Sequence, residues 1–234
     1  MYKDLAINPP FFELGLKAYL YGREALKLAK HADALSKKYG VCIILTPQCV
    51  DIPIIASETK HIYVFAQHMD LLRVGRGIGA VLPEAIKEAG AVGVLLNHSE
   101  KRISKSEIAQ SIQRADEVGL ATMVCADTAD DAQVIAKMNP NIILAESPAL
   151  IGSYQRNSND KKEIVRINAL VQEINPEILV LHGAGIQNGE DIYKIVKCGA
   201  QGSGSTSGVL LAEDPYAMLE EMISAMRKAW DEIH

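Results

Sequence analysis

Short apolar runs recur along the chain, and between them lie stretches whose apolar residues fall three and four apart. The runs are Phe11–Lys17, Val41–Thr46, Ile62–Gln67, Val92–Asn97, Ala121–Ala126, Ile142–Glu146, Ile178–His182 and Gly199–Ser205. Most are Val, Ile, Leu and Ala with little charge, the pattern of strands buried on both faces. The intervening stretches read as amphipathic helices. In Arg23–Tyr39, Ala25, Leu28, Ala29, Ala32 and Leu35 share one face. Pro83–Glu88 opens on a proline suited to a first helical turn. Ser104–Val118 opens on a serine with Glu107 three residues on, a capping-box signature. Thr128–Met138, Glu163–Ile174, Gly189–Val196 and Asp214–Ile233 complete the set.

Strand–helix alternation predicts parallel strands joined by helical crossovers. Eight repeats in 234 residues predict a closed (β/α)8 TIM barrel, in the α/β class, better than an open sheet. With no interior Gly/Ser/Pro linker, the chain reads as a single domain over 1–234. Asn8-Pro9-Pro10 reads as an entry loop, since prolines do not serve a central strand.

In such a barrel every strand points the same way, so the strand ends share one rim, where ligands bind. Lys17 ends the first strand and Glu146 the sixth. Val92–Leu96 runs into Asn97-His98-Ser99-Glu100-Lys101-Arg102, an abrupt change from buried apolar to polar and charged. His182-Gly183-Ala184-Gly185-Ile186 follows the seventh strand and Ser203–Gly208 the eighth, the frequent phosphate position of this architecture. Gly183, Gly185, Ser207 and Gly208 allow backbone N–H groups to approach an anion. A lysine, a histidine, a glutamate and two glycine turns therefore converge.

Composition narrows the partners. Hydrophobic residues make up 48% and charged residues 23%, as for a soluble globule with a large core. A net charge of −5 without a basic block argues against nucleic acid. It leaves room for a small anion held by local donors. No apolar run approaches the roughly 20 residues needed to span a bilayer, and Met-Tyr-Lys-Asp has no apolar signal core. Cys42, Cys49, Cys125 and Cys198 lack a C-x-x-C pair and read as reduced thiols. The expectation is a cytoplasmic protein without membrane partners.

Several segments resemble triosephosphate isomerases of the compact archaeal type: Phe65-Ala66-Gln67-His68, Val81–Ala85, Glu88–Gly93, Asn97–Arg102, Leu150-Ile151-Gly152, Gly183–Ile186 and Ser207-Gly208-Val209. The resemblance covers about nine tenths of the chain, and the His98-Ser99-Glu100 segment carries it most specifically. It implies interconversion of dihydroxyacetone phosphate and glyceraldehyde 3-phosphate, a step of glycolysis and gluconeogenesis, with no cofactor and no metal. It also implies Glu146 as base, His98 as electrophile and Lys17 as electrostatic clamp, with Glu100 holding the lysine. Ile151, Gly152, Gly183, Gly185, Ser207 and Gly208 would bind the phosphorylated sugar, and Glu146–Ser153 would be a closing lid. A homodimer or homotetramer is implied as well.

The residue types suit the reaction. A carboxylate raised toward neutrality by burial can remove a carbon-bound proton. A neutral imidazole and a fixed cation can stabilise the charge that builds on the substrate oxygens. Gln67, His68 and His182 read as rim support and Cys125 as packing. Several places depart from the family pattern: Gly15 replaces its asparagine, Ala149 stands where related lids often carry Glu, Ser153-Tyr154 replaces Thr-Gly in the lid, His182 stands where a small residue or Cys is more usual, strand eight is more polar, and Gly77-Ile78-Gly79 replaces a more polar loop tip. Two alternatives therefore stand beside the triose reading. One is an isomerase of another short ketose phosphate, such as a tetrulose phosphate. The other is a non-catalytic phospho-ligand binding protein on the same scaffold.

Overall fold

Each predicted strand forms, and the eight close on one another in chain order. The computed structural model describes residues 1–146 and 158–234, with the side chains of 158–160 outside the description. The strands are β1 (Phe11–Gly15), β2 (Cys42–Thr46), β3 (Ile62–Ala66), β4 (Gly93–Leu96), β5 (Ala121–Ala126), β6 (Ile142–Ala145), β7 (Leu179–His182) and β8 (Gly202–Gly204). They make a closed parallel barrel, β1 pairing with both β2 and β8 so that Glu13 lies opposite Ile44 and Gly204. The helices are α1 (Gly22–Tyr39), α2 (Ile52–Glu58), α3 (Pro83–Glu88), α4 (Lys105–Val118), α5 (Ala129–Ala136), α6 (Ser158–Ile174), α7 (Gly189–Lys197), α8 (Ser207–Leu210) and α9 (Pro215–Asp231). Among the described residues, no helix is long and apolar enough to cross a membrane.

The chain has two cores, set by the period of two along each strand. Phe12, Leu14 and Leu16 of the β1 segment face outward, into a large cluster with the apolar faces of the helices. Phe11 faces the barrel axis, with Ile44, Phe65, Leu95, Met123, Ile142, Leu144 and Leu181 from other strands. Extending that inward phase toward the carboxyl ends gives Glu13, Gly15, Thr46, Gln67, Glu146 and Gly183, all of which line one cavity. The rim is therefore built from the same alternation that fills the core.

The polarity of β8 has a steric cause. A Cβ on Gly202 would lie 2.4 Å from the Phe11 ring, and one on Gly204 would lie 2.4 Å from the Glu13 carbonyl oxygen. The bulk of β1 takes the space that apolar side chains on β8 would fill. This strand is also the largest departure from expectation: Gly199–Ser205 yields only three strand residues. Two elements were not expected, α2 with the 3-10 turn Cys49–Asp51 before it, and the four-residue α8.

Candidate active site

At the carboxyl ends of the strands lies a cavity of about 410 Å³, lined by residues from every strand end but that of β5. Lys17 enters from β1 and adopts a positive φ of 46°, uncommon for a residue with a side chain. Two amides hold it there. Gln48 Nε2 and Gln67 Nε2 donate to the Lys17 carbonyl oxygen at 2.6 and 2.9 Å. Its ammonium donates to Glu100 Oε1 at 2.7 Å. Glu100 is largely exposed, so this pair contributes orientation more than stability. The bond from Lys17 also lowers the Glu100 carboxyl below its ordinary range.

His98 stands just past β4, on a loop pinned from two sides. Asn97, at φ 59°, donates through Nδ2 to the Cys125 carbonyl at 3.0 Å. Arg102 donates to the Asn97 carbonyl at 3.1 Å and to the two carboxylate oxygens of Asp127 at 2.6 Å. The backbone N–H of Glu100 donates to His98 Nδ1 at 3.2 Å. A nitrogen that accepts carries no proton, so the ring hydrogen of the neutral imidazole sits on Nε2. Burial lowers the His98 pKa, and the charge of Lys17 lowers it further.

Glu146 follows β6 in the inward phase of Leu144, and its N–H extends the ladder to the Ala126 carbonyl at 3.0 Å. Its Oε2 lies 3.6 Å from His98 Nε2. That is beyond a hydrogen bond, and with the ring neutral it is no ion pair. Burial raises the Glu146 pKa, opposed by Lys17 and assisted by Glu100 and Asp127. The cavity thus holds a proton acceptor of raised affinity facing a neutral N–H donor, with an ammonium alongside.

The glycine turns meet the same cavity. Ala184 and Gly185 both have positive φ, 64° and 67°. Ser207 opens α8, and a Cβ on Gly208 would lie 2.4 Å from the Ile186 carbonyl oxygen, so only glycine permits this approach of the two turns. Ser205 ties them by donating to Ile186 at 3.0 Å. Gly183, Gly185 and Ser207 line the cavity with Lys17, His98 and Glu146. Gly208 supports that wall without being a lining residue. Ile151, Gly152 and the rest of the expected lid, 147–153, lie outside the described residues. His182 is buried, with Nε2 bonded to Asn168 at 2.8 Å.

Sequence reasoning missed Glu13. It is buried inside the cavity floor, accepts from Thr46 Oγ1 at 2.8 Å, and has its pKa pushed up to about 7 by burial, against the Thr46 hydrogen bond. The signal was present: Phe11, Glu13, Gly15 and Lys17 are two residues apart, so a charge sat in the inward phase.

A triosephosphate isomerase family model matches residues 13–226. The triosephosphate isomerase of Methanobacterium bryantii is 42% identical over 218 residues, covering 92% of this chain and 96% of that one. That of Sulfurisphaera tokodaii is 40% identical over 229 residues, covering 96% and 99%. The crystal structure of triosephosphate isomerase from Bartonella henselae superposes with a TM-score of 0.72 at 17% identity over 92% of this chain and 98% of that one, which bears on the fold. With the family model spanning most of the barrel, the chain belongs to the triosephosphate isomerase family.

Proposed function

We propose that this chain interconverts dihydroxyacetone phosphate and glyceraldehyde 3-phosphate, with Glu146 as the base, His98 as the neutral electrophile and Lys17 as the fixed cation. The observation that carries the reading is the placement of His98 Nε2, which bears the ring proton, 3.6 Å from Glu146 Oε2 across one cavity. Glu146 removes the proton from the carbon next to the carbonyl, and charge moves onto the carbonyl oxygen as the enediolate forms. His98 Nε2–H and the Lys17 ammonium stabilise that oxygen. Returning the proton to the neighbouring carbon completes the exchange. Gly183, Gly185, Ser207 and Gly208 hold the phosphate through backbone N–H groups, and the family resemblance adds Ile151 and Gly152 to the residues that bind the substrate. Glu100 orients Lys17.

The test is exchange of carbon-bound hydrogen into solvent during turnover of glyceraldehyde 3-phosphate. Exchange and product formation are expected from the wild type. A rate no higher than that of Glu146→Gln would remove the assignment. Residues 1–234 act as one domain in the cytoplasm, in a homodimer or homotetramer, and unfolding in a single cooperative transition checks the first of these.

A further inference from the structure

Three carboxylates line the described part of the cavity, and two have work in the isomerase. Glu100 holds Lys17 and Glu146 faces His98. Glu13 does neither. It projects from the inward face of β1, and Thr46 Oγ1 fixes its Oε1 at 2.8 Å. Its other oxygen, Oε2, makes no hydrogen bond among the described residues. Nor is it one of the polar atoms sealed from solvent without a partner, so it opens to the cavity.

The wall around it is cut to fit. A Cβ on Gly15 would lie 2.6 Å from Thr206 Oγ1 and 3.1 Å from Glu13 Oε1. The carboxyl and the hydroxyl therefore occupy the volume that a side chain at 15 would need. A buried carboxyl with a single neutral donor is costly to keep, and its cost falls if a ligand supplies the missing partner.

We propose that Glu13 is a substrate-binding residue: its open carboxyl oxygen hydrogen-bonds a hydroxyl group of the sugar phosphate, with Thr46 fixing the carboxyl and Thr206 beside it in the space left by Gly15. The identity of the ligand rests on the isomerase reading above. A hydroxyl is the group that fits. It both donates and accepts, so it is served whether the carboxyl is protonated or ionised, and both forms are populated near neutral pH. An ionised Glu13 would repel the phosphate, which has its own N–H donors. Among the described residues no group of three or more His, Cys, Asp or Glu side chains is arranged to hold a metal.

The experiment is calorimetric titration of the full chain with glycerol 3-phosphate and with propyl phosphate, which share a phosphate and a three-carbon chain and differ in two hydroxyls. Inorganic phosphate is the control. Glu13→Leu is expected to lower the affinity ratio of glycerol 3-phosphate to propyl phosphate about tenfold. Glu13→Gln, whose amide can serve Thr46 and the ligand together, is expected to stay within about threefold. Inorganic phosphate should bind within about twofold in both. An unchanged ratio in Glu13→Leu overturns the proposal, as does a loss shared equally by inorganic phosphate. Should Glu13→Leu fail to fold, Glu13→Asp decides: withdrawal of the carboxyl by one methylene should lower the ratio about fivefold, and full retention overturns the proposal. A wild type that shows this ratio but no hydrogen exchange would remove the isomerase reading and leave the hydroxyl subsite standing.

Discussion

Three carboxyl groups within one cavity end up with three different proton affinities, and each follows from its surroundings. Glu100 is exposed and bonded to an ammonium, so it ionises more readily than usual. Glu146 is buried next to that ammonium, and burial wins, so its pKa rises. Glu13 is buried with only a hydroxyl for support, and rises to about 7. For Glu146 the consequence is kinetic. In the proposed role of base Glu146 must be ionised, so kcat/KM in the free enzyme should fall as pH drops through a value above the ordinary carboxylate range. Replacing it by Gln should lower kcat by roughly 10²–10⁴ with little change in KM, checked by steady-state kinetics. Lys17→Met should lower kcat/KM on the order of 10²-fold, the usual scale for losing one oriented electrostatic stabiliser. For Glu13 the consequence is thermodynamic. Its folded pKa lies above its ordinary 4.5, so the folded state retains a proton that the unfolded state releases. That contribution is complete below pH 4.5 and is lost as pH rises to 7, about 3 kcal/mol in all. Glu146 and Lys17, the charged groups that face it, are common to wild type and Glu13→Gln. Urea midpoints at pH 5 and pH 8 should therefore show the wild type losing stability relative to Glu13→Gln at the higher pH.

At the scale of elements, β1 and β8 are complementary in bulk. Three ring carbons of Phe11 would lie within 2.7 Å of a Cβ at position 202. Gly202→Ala should therefore destabilise the barrel by about 1–3 kcal/mol, the cost of forcing a methyl into a filled interior, read from the denaturation midpoint. Ser104 accepts from the Glu107 N–H at 3.2 Å while Glu107 Oε2 accepts from the Ser104 N–H at 2.8 Å. Ser104→Ala should cost about 1 kcal/mol by opening this reciprocal cap. Both features explain what could be read ahead of the structure. The cap was legible because its residues are adjacent in sequence, and so were β5 and α3, whose ends match their expected ranges. Strand β8 was misjudged in length because what limits its side chains is Phe11 and Glu13, nearly two hundred residues earlier. Helix α2 escaped notice because seven residues are too few to display a period, and Ile52 and Ile55 are its only buried positions. The rim residues Lys17, His98 and Glu146 were found because each ends a buried run. Glu13 was not, because one charge inside such a run declares itself only when its phase is compared with the neighbours that turn inward.

For the whole molecule, parallel closure gathers the loops that follow the strands onto one end, and the loops after β2 and β3 present apolar side chains to solvent. Val50 follows β2 and is 84% exposed, while Val74 and fully exposed Ile78 follow β3, the next strand round the barrel. Each could contribute about 1.5–3 kcal/mol if buried, a large share for a chain whose charge is otherwise spread in surface pairs. A second copy of the chain is the occupant that the family resemblance implies, and the same loops carry Gln48 and Gln67, which fix the Lys17 backbone. Association would thereby stiffen the turn that aims the Lys17 ammonium. Val74→Asp with Ile78→Asp should weaken self-association at least tenfold by light scattering at micromolar concentration. It should also lower kcat/KM, because a loosened Gln67 segment releases Lys17 from its positive φ. A wild type that scatters as a fully active monomer over that range would break the link between assembly and site.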